Sequence, residues 1–229
     1  EAGANLLLTG RRADRLKALA DELRFEYEIE VDCLVFDVSN RSETERVLNS
    51  EKTKNVSVLI NNAGLALGAD PLQIANLDDL DAMIDTNVKG LVYVTRTLLP
   101  KMIAQNEGHI VNLGSVAGRS VYPGGAVYAA TKFAVRAIND ALRMDLLGTP
   151  IRVTNIEPGM VETEFSKVRF RGDTEKAKSV YKGMNPLTPM DIAETALWCV
   201  QRPGHVNIQE IVIMPTDQAA VGPYVHRRT

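Results

Sequence analysis

The sequence predicts an α/β protein built on one open parallel β-sheet with helices on both faces. Three observations carry this reading. Short apolar runs alternate with amphipathic stretches from end to end, the pattern of successive β-α-β units. Residues of special chemistry cluster just after those runs, and open parallel sheets bind ligands beyond the carboxyl ends of their strands. No repeat, low-complexity tract or linker breaks the alternation, and 229 residues suit a single domain.

Residues 4–9 (ANLLLT), closed by Gly10, read as a buried parallel strand. Residues 14–23 carry Leu16, Leu19, Ala20 and Leu23 at helical spacing. Residues 31–36 form the next apolar run, with Asp37 at its carboxyl end. A helix over 42–48 leads to a strand over 56–60 that ends in Asn61-Asn62-Ala63-Gly64. The helical pattern from 77 to about 105 contains Pro100, which should bend or divide it. A strand over 109–113, a helix over 128–147 and a strand over 152–156 follow, the last closed by Pro158-Gly159. Residues 163–186 are polar without a strong period, and read as a mobile segment, a substrate lid, with one short helix. Pro189 suits the first turn of a helix to Val200, with Thr188 as its N-cap. Residues 208–214 make the last strand.

Composition narrows the function. The chain is 45% apolar and 24% charged, as ordinary globular proteins are. A net charge of -3 argues against nucleic-acid or anionic-membrane partners. No apolar stretch approaches the roughly eighteen residues of a membrane span, and no secretory h-region is present, so a cytoplasmic location is expected. Cys33 and Cys199 stand far apart, and His109, His205 and His226 are scattered. Free thiols and no metal site are the expectation.

The most informative feature is Tyr128-Ala129-Ala130-Thr131-Lys132, with Ser115 upstream. Four residues apart on a helix, Tyr128 and Lys132 share one face. A neighbouring ammonium favours the phenolate and should pull the Tyr128 pKa below its usual value of about 10. The pair is therefore a candidate general acid/base, with the Ser115 hydroxyl to orient the group that exchanges the proton. Alone, the spacing also fits a half-buried Tyr beside a solvated Lys.

Asn61-Asn62-Ala63-Gly64, Asn87, Ser115, Tyr128 with Lys132, and Pro158-Gly159 followed by Thr163 occur in order along the chain. Together they resemble the short-chain dehydrogenase/reductase family, which implies a Rossmann-type, doubly wound parallel sheet in a single domain. The family's glycine-rich phosphate loop is not in this sequence. Gly64-x-x-x-Gly68 and Gly114-x-x-x-Gly118 do not replace it, since neither lies in the first β-α turn. Glu1-Ala2-Gly3-Ala4 reads as a turn between a helix end and a strand, so the first β-α unit, roughly 20–30 residues, is expected to be missing. Without it, two strand edges would be left open.

In such a fold the adenosine ribose sits at the turn after residues 4–9. That turn is Gly10-Arg11-Arg12, whose cationic forks suit a 2′-phosphate, so NADP is the expected cofactor. Two arginines solvated at a helix start are the plainer alternative. The resemblance implies that Asp37 and Val38 hold the adenine and that Asn61, Ala63 and Gly64 line the ribose-phosphate path. It places Pro158, Gly159, the Val161 backbone and the Thr163 side chain at the nicotinamide carboxamide. It further implies that Tyr128 exchanges the alcohol proton, Ser115 steadies the substrate oxygen, Lys132 also binds the nicotinamide ribose, and Asn87 holds a relaying water. Asn61 and Asn62 as turn residues, and Asn87 as a helix interruption, remain open.

The finer resemblance is to the NADP-dependent 3-hydroxy acid dehydrogenases, carried by residues 62–68, 85–91, 157–166 and 168–173. It implies oxidation of serine, allo-threonine or related acids such as 3-hydroxypropionate. Arg119, Arg169 and Arg171 are candidates for the substrate carboxylate, and Glu157 for an amino substituent. A reductase of neutral carbonyls or 3-oxoacyl thioesters and a non-catalytic nucleotide-binding scaffold are the rival readings. A homotetramer is expected by the same resemblance, formed through helices at 78–105 and 128–147.

Overall fold

The computed structural model describes residues 2–222 and 224–228. Its strands are β1 (Leu6–Gly10), β2 (Val31–Val35), β3 (Val58–Asn61), β4 (His109–Leu113), β5 (Arg152–Pro158) and β6 (Glu210–Ile213). The α-helices are α1 (Ala13–Tyr27), α2 (Arg41–Leu48), α3 (Leu77–Ile84), α4 (Leu91–Gln105), α5 (Ala126–Asp145), α6 (Phe165–Arg169), α7 (Thr174–Ser179) and α8 (Pro189–Val200). All pairings between named strands are parallel, in the orders β1-β2 and β3-β4-β5-β6. Among the described residues no ladder joins β1 to β3, so one edge of each is unpaired. One core nevertheless spans both sheets, since Phe36 just after β2 packs with Leu59 of β3.

Helices on both faces follow from the two-residue period of β4. Ile110 belongs to the core formed with Leu98 and Met102 of α4, whereas Val111 packs with Ala196 of α8 on the opposite face. The α4/α5 side changes character along each central strand. Leu59 is followed two residues later by Asn61, Ile110 by Asn112, and Val153 by Asn155. The three asparagines are register partners across the sheet. A dry apolar layer thus gives way to a row of amides one level below the carboxyl ends.

Several boundaries differ from the sequence expectation. The long helix over 77–105 is interrupted at Asp85–Gly90, a π-helical stretch, while Pro100 lies inside the unbroken α4. The buried Asn87 amide accounts for the interruption, because bonding to the Leu65 main chain draws this turn out of α-helical register. Gly90 permits the close approach, since a Cβ there would lie 2.7 Å from Val38 Cγ2. Residues 163–186 contain two short helices rather than one. The second is capped by the Asp173 side chain, which accepts the Lys176 N–H at 2.9 Å. Strand β5 runs on to Pro158. The Thr188 cap and Pro189 start occur as expected, with Thr188 and Asp191 closing a reciprocal capping box.

His109 ties β4 to β5 and reports on acid stability. Thr154 Oγ1 donates to the Ile208 carbonyl at 2.6 Å, so the His109 Nε2–H must donate to Thr154 Oγ1 at 2.8 Å. Nδ1 is then a buried acceptor with no partner. Burial, followed by the Arg152 charge, lowers the His109 pKa from 6.5 to about 4. The unfolded chain therefore binds this proton more readily between those values, and stability should fall as pH drops from 6.5 to 4. The contribution is about 3 kcal/mol. His109→Gln should flatten the urea-midpoint profile in that window, and an unchanged slope would contradict the assignment.

Candidate active site

Ser115 follows β4, and its hydroxyl accepts the Ala117 N–H at 3.1 Å to start a tight turn. Gly118 ends that turn against α5, where a Cβ would lie 2.7 Å from the Lys132 carbonyl. This contact sets the turn begun by Ser115 against α5, the helix that carries Tyr128. One turn along α5, Lys132 is 8% exposed and sends its Nζ to the Leu113 carbonyl at 2.7 Å. The same nitrogen lies 5.9 Å from the Tyr128 ring centroid.

The protonation chemistry corrects the sequence expectation. Burial pushes the Tyr128 phenol up to about 12; the Ser115 hydrogen bond and the Arg169 charge oppose it. The Lys132 ammonium is bonded to a main-chain carbonyl, and burial brings its own pKa down to about 8. Helical spacing predicts that the two residues are neighbours, but not that Lys132 is withdrawn from water beside a half-buried Tyr128.

Asn87 is 2% exposed and nearly saturated. Its Oδ1 accepts the Leu65 N–H at 2.8 Å, while Nδ2 donates to the Leu65 carbonyl at 2.8 Å and to Thr131 Oγ1 at 3.1 Å. Thr131 in turn donates to the Tyr128 carbonyl at 2.7 Å. A Cβ on Gly64 would sit 3.3 Å from Asn87 Oδ1 and 3.7 Å from Lys132 Nζ. Gly64, Asn87 and Lys132 therefore meet at one point, with Ala63 and Gly64 exposed beside it.

At the other end of the sheet, Gly10 closes β1 and leads into exposed Arg11 and Arg12. Burial pushes the Asp37 carboxyl up, but bonds from Ser39 and the Arg11 guanidinium outweigh it and hold the pKa low. Arg11 Nη1 reaches Asp37 at 3.4 Å. Arg12 and Arg15 both reach Glu164 Oε2, at 3.3 and 2.8 Å. Val38 is half-buried against Gly90. The Asn61 side chain turns inward, donating to Thr95 Oγ1 at 3.0 Å and Asn112 Oδ1 at 2.9 Å, so its amide N–H groups are committed within the protein.

After Pro158, the Gly159 N–H donates to the Ile213 carbonyl at 2.7 Å. The Val161 carbonyl accepts from the Tyr181 hydroxyl at 2.9 Å, and Thr163 Oγ1 accepts the Phe165 N–H at 3.0 Å. A strip of half-buried to exposed chain thus runs over the carboxyl ends of the strands, from the Arg11–Asp37 pair past Gly64 to Thr163. Guanidinium groups at one end and main-chain amides at the other suit a phosphorylated dinucleotide.

The candidate substrate residues separate into three groups. Glu157 is 0% exposed, and its oxygens are taken by Arg119, Arg136 and Asn155, so it is closed to an amino substituent. Arg119 also pairs with Glu210 and is spent in the same cluster. Glu157 was a candidate for its place beside Pro158-Gly159 and Arg119 for its charge, but the two side chains are committed to one another. Arg171 forms bonds of 2.7 Å to both Asp79 oxygens at the surface. Arg169 differs: it lines one pocket with Leu67, Gly68, Met83 and Tyr128. Its Nε donates to the Gly68 carbonyl at 2.8 Å and its Nη1 to the Tyr122 hydroxyl at 3.1 Å. Tyr122 and Asp79 lack a motif of their own in the sequence, and Thr131 lies inside the Tyr128–Lys132 stretch without a role assigned to it there. Among the described residues no group of three or more His, Cys, Asp or Glu side chains could hold a metal, and no helix is long and apolar enough to cross a membrane.

Comparison with known proteins gives a consistent result. Residues 1–174 match the family model for short chain dehydrogenase. The NADP-dependent 3-hydroxy acid dehydrogenase YdfG of Salmonella typhi is 49% identical over 230 residues, covering 99% of this chain and 91% of the relative. The closed form of a serine dehydrogenase complexed with NADP+ superposes with a TM-score of 0.90 at 47% identity, over 99% of this chain and 91% of that one. Serine dehydrogenase from Escherichia coli superposes with a TM-score of 0.79 at 43% identity, over 95% and 89% of the two chains.

Proposed function

The chain belongs to the short chain dehydrogenase family, and from that premise we propose that it is an NADP-dependent dehydrogenase of small 3-hydroxy acids such as serine, allo-threonine or 3-hydroxypropionate. The observation that carries the substrate class is Arg169, a cation lining the same pocket as the Tyr128 phenol. The 49% identical relative named for 3-hydroxy acids supports the same choice.

When bound, the nicotinamide supplies the hydride acceptor at the reacting carbon. Arg11 and Arg12 would hold its 2′-phosphate, Asp37 and Val38 the adenine, and Ala63, Gly64 and the Asn61 main chain the path between. Pro158, Gly159, Val161 and Thr163 would line the carboxamide. Tyr128 exchanges the proton of the substrate oxygen, and Ser115 donates a hydrogen bond to that oxygen as its charge changes. With its pKa near 12, Tyr128 is a phenol at neutral pH, the form that protonates a carbonyl in the reductive direction. For oxidation the proton must first leave it. Lys132, with a pKa near 8, is the neighbouring group suited to pass protons near neutrality, and Asn87 would hold a water beside it. Residues 163–186, which carry Arg169, would close over the substrate and exclude water.

The 3-hydroxy acid reading is tested by NADP+ reduction with L-serine and 3-hydroxypropionate against neutral alcohols. Preference for the neutral alcohols would overturn it. Tyr128→Phe should lower kcat by ~10²–10⁴-fold while fluorescence titration still detects NADP binding; more than a tenth of native kcat would remove Tyr128 from the proton-transfer role. Arg11→Ala with Arg12→Ala should cut the NADP-over-NAD selectivity by about 10- to 150-fold, the worth of charge-assisted bonds to a phosphate. An unchanged ratio would assign the 2′-phosphate elsewhere. Exposed apolar residues on α4 and α5, including Val92, Ile103 and Phe133, support a homotetramer; a monomeric mass by light scattering at micromolar concentration would exclude it.

A further inference from the structure

We propose that Tyr122 is a positioning residue for substrate selection: it holds the Arg169 guanidinium beside Tyr128, ready for the substrate carboxylate. The proposal rests on the 3-hydroxy acid reading above. Arg169 ends α6, and three bonds fix it to two loops. Its carbonyl accepts the Gly68 N–H at 3.0 Å, its Nε donates to the Gly68 carbonyl at 2.8 Å, and its Nη1 donates to the Tyr122 hydroxyl at 3.1 Å. The guanidinium carbon also lies 5.5 Å from the Tyr122 ring centroid and 5.8 Å from that of Phe170. Among the described residues Nη2 has no hydrogen-bond partner in the protein, so N–H donors remain for a ligand.

The turn that carries Tyr122 is built for this contact. A Cβ on Gly125 would collide with the Tyr122 ring. Gly124 adopts φ +73, and a Cβ there would collide with the Ala69 carbonyl. This glycine pair therefore presses Tyr122 against the loop that includes Gly68, and the two anchors of Arg169 arrive together. A free arginine occupies many rotamers, and one already fixed loses less freedom when a carboxylate binds. The hydroxyl and ring of Tyr122 thus turn a flexible cation into a selective one.

The test uses steady-state kinetics of Arg169→Ala, Tyr122→Phe and Tyr122→Leu on 3-hydroxypropionate and 1,3-propanediol, which differ by the carboxylate. Competitive inhibition by propionate is measured in parallel. Arg169→Ala should lower the acid-over-diol ratio of kcat/KM by about 10-fold or more. Tyr122→Phe keeps the ring and removes one hydrogen bond, so the ratio should fall about 3- to 10-fold through KM, and the propionate inhibition constant should rise to match. Tyr122→Leu should fall further. If Arg169→Ala changes the ratio but neither Tyr122 variant does, the positioning role is overturned and the 3-hydroxy acid reading stands. If Arg169→Ala lowers activity on acid and diol equally, the carboxylate reading fails together with the proposal. Tyr122→Phe retains the packing, so the hydroxyl is tested even if Tyr122→Leu does not fold.

Discussion

The active-site geometry depends on a buried hydrogen-bonded layer between the carboxyl ends of the central strands and helix α5. Asn61 donates to Asn112, which donates to Asn139 of α5 at 3.1 Å. One level higher, Lys132 bonds the Leu113 carbonyl, and Asn155 donates to Glu157 at 2.8 Å. Asn139 Nδ2 and Asn155 Oδ1 are buried without a partner, and the bonds that are made constrain the orientation of each member by the next. An all-apolar contact would let the helix slide and rotate. With amide and ammonium groups at fixed levels, α5 can sit in one register, and Tyr128 comes to rest opposite Ser115.

The same layer contains charges. Arg119 and Arg136 from outside the sheet neutralise Glu157 on β5 and Glu210 on β6. Burial pushes the Glu157 carboxyl up, and the hydrogen bond and charge of Arg119 oppose it. Removing Arg119 would leave the fully buried Glu157 with only Arg136, 4.0 Å away, as a cationic partner among the described residues, and breaking a buried pair costs more than the intact pair contributes. Electrostatic pairing in this layer supports the strands that end at Pro158. The exposed ion pairs, such as those of Glu164 with Arg12 and Arg15, are screened by water and contribute little to stability.

Much of this was legible in the residues, and the gaps share a cause. Short apolar runs marked every strand, and that of β4 gave its bounds residue for residue. Thr188-Pro189 specified a helix start through local chemistry alone. What failed depended on partners distant in sequence. Glu157 beside Pro158-Gly159 gives no sign of the arginine 38 residues away that closes it off. Pro100 outweighed the asparagine whose long-range bond to Leu65 disrupts the helix. The Tyr128–Lys132 spacing located the pair, yet proton affinity depends on burial, which no short motif records. Tyr122 carries no motif, because its role lies in contacts with α6.

The π-helical stretch at Asp85–Gly90 has a consequence for how this sequence can diverge. It puts α3 and α4 out of phase, so that α3 packs on α5 while α4 packs on α2 and β3. Deleting one residue here would let an ordinary α-helix form, a gain in local hydrogen-bond geometry. It would also rotate everything on one side by about 100°, one residue's share of a helical turn. Met83 would leave the core, or Asn87 would lose Leu65. Descendants of this chain can therefore exchange side chains along the segment far more readily than they can change its length, and insertions or deletions should accumulate in the surface loops instead.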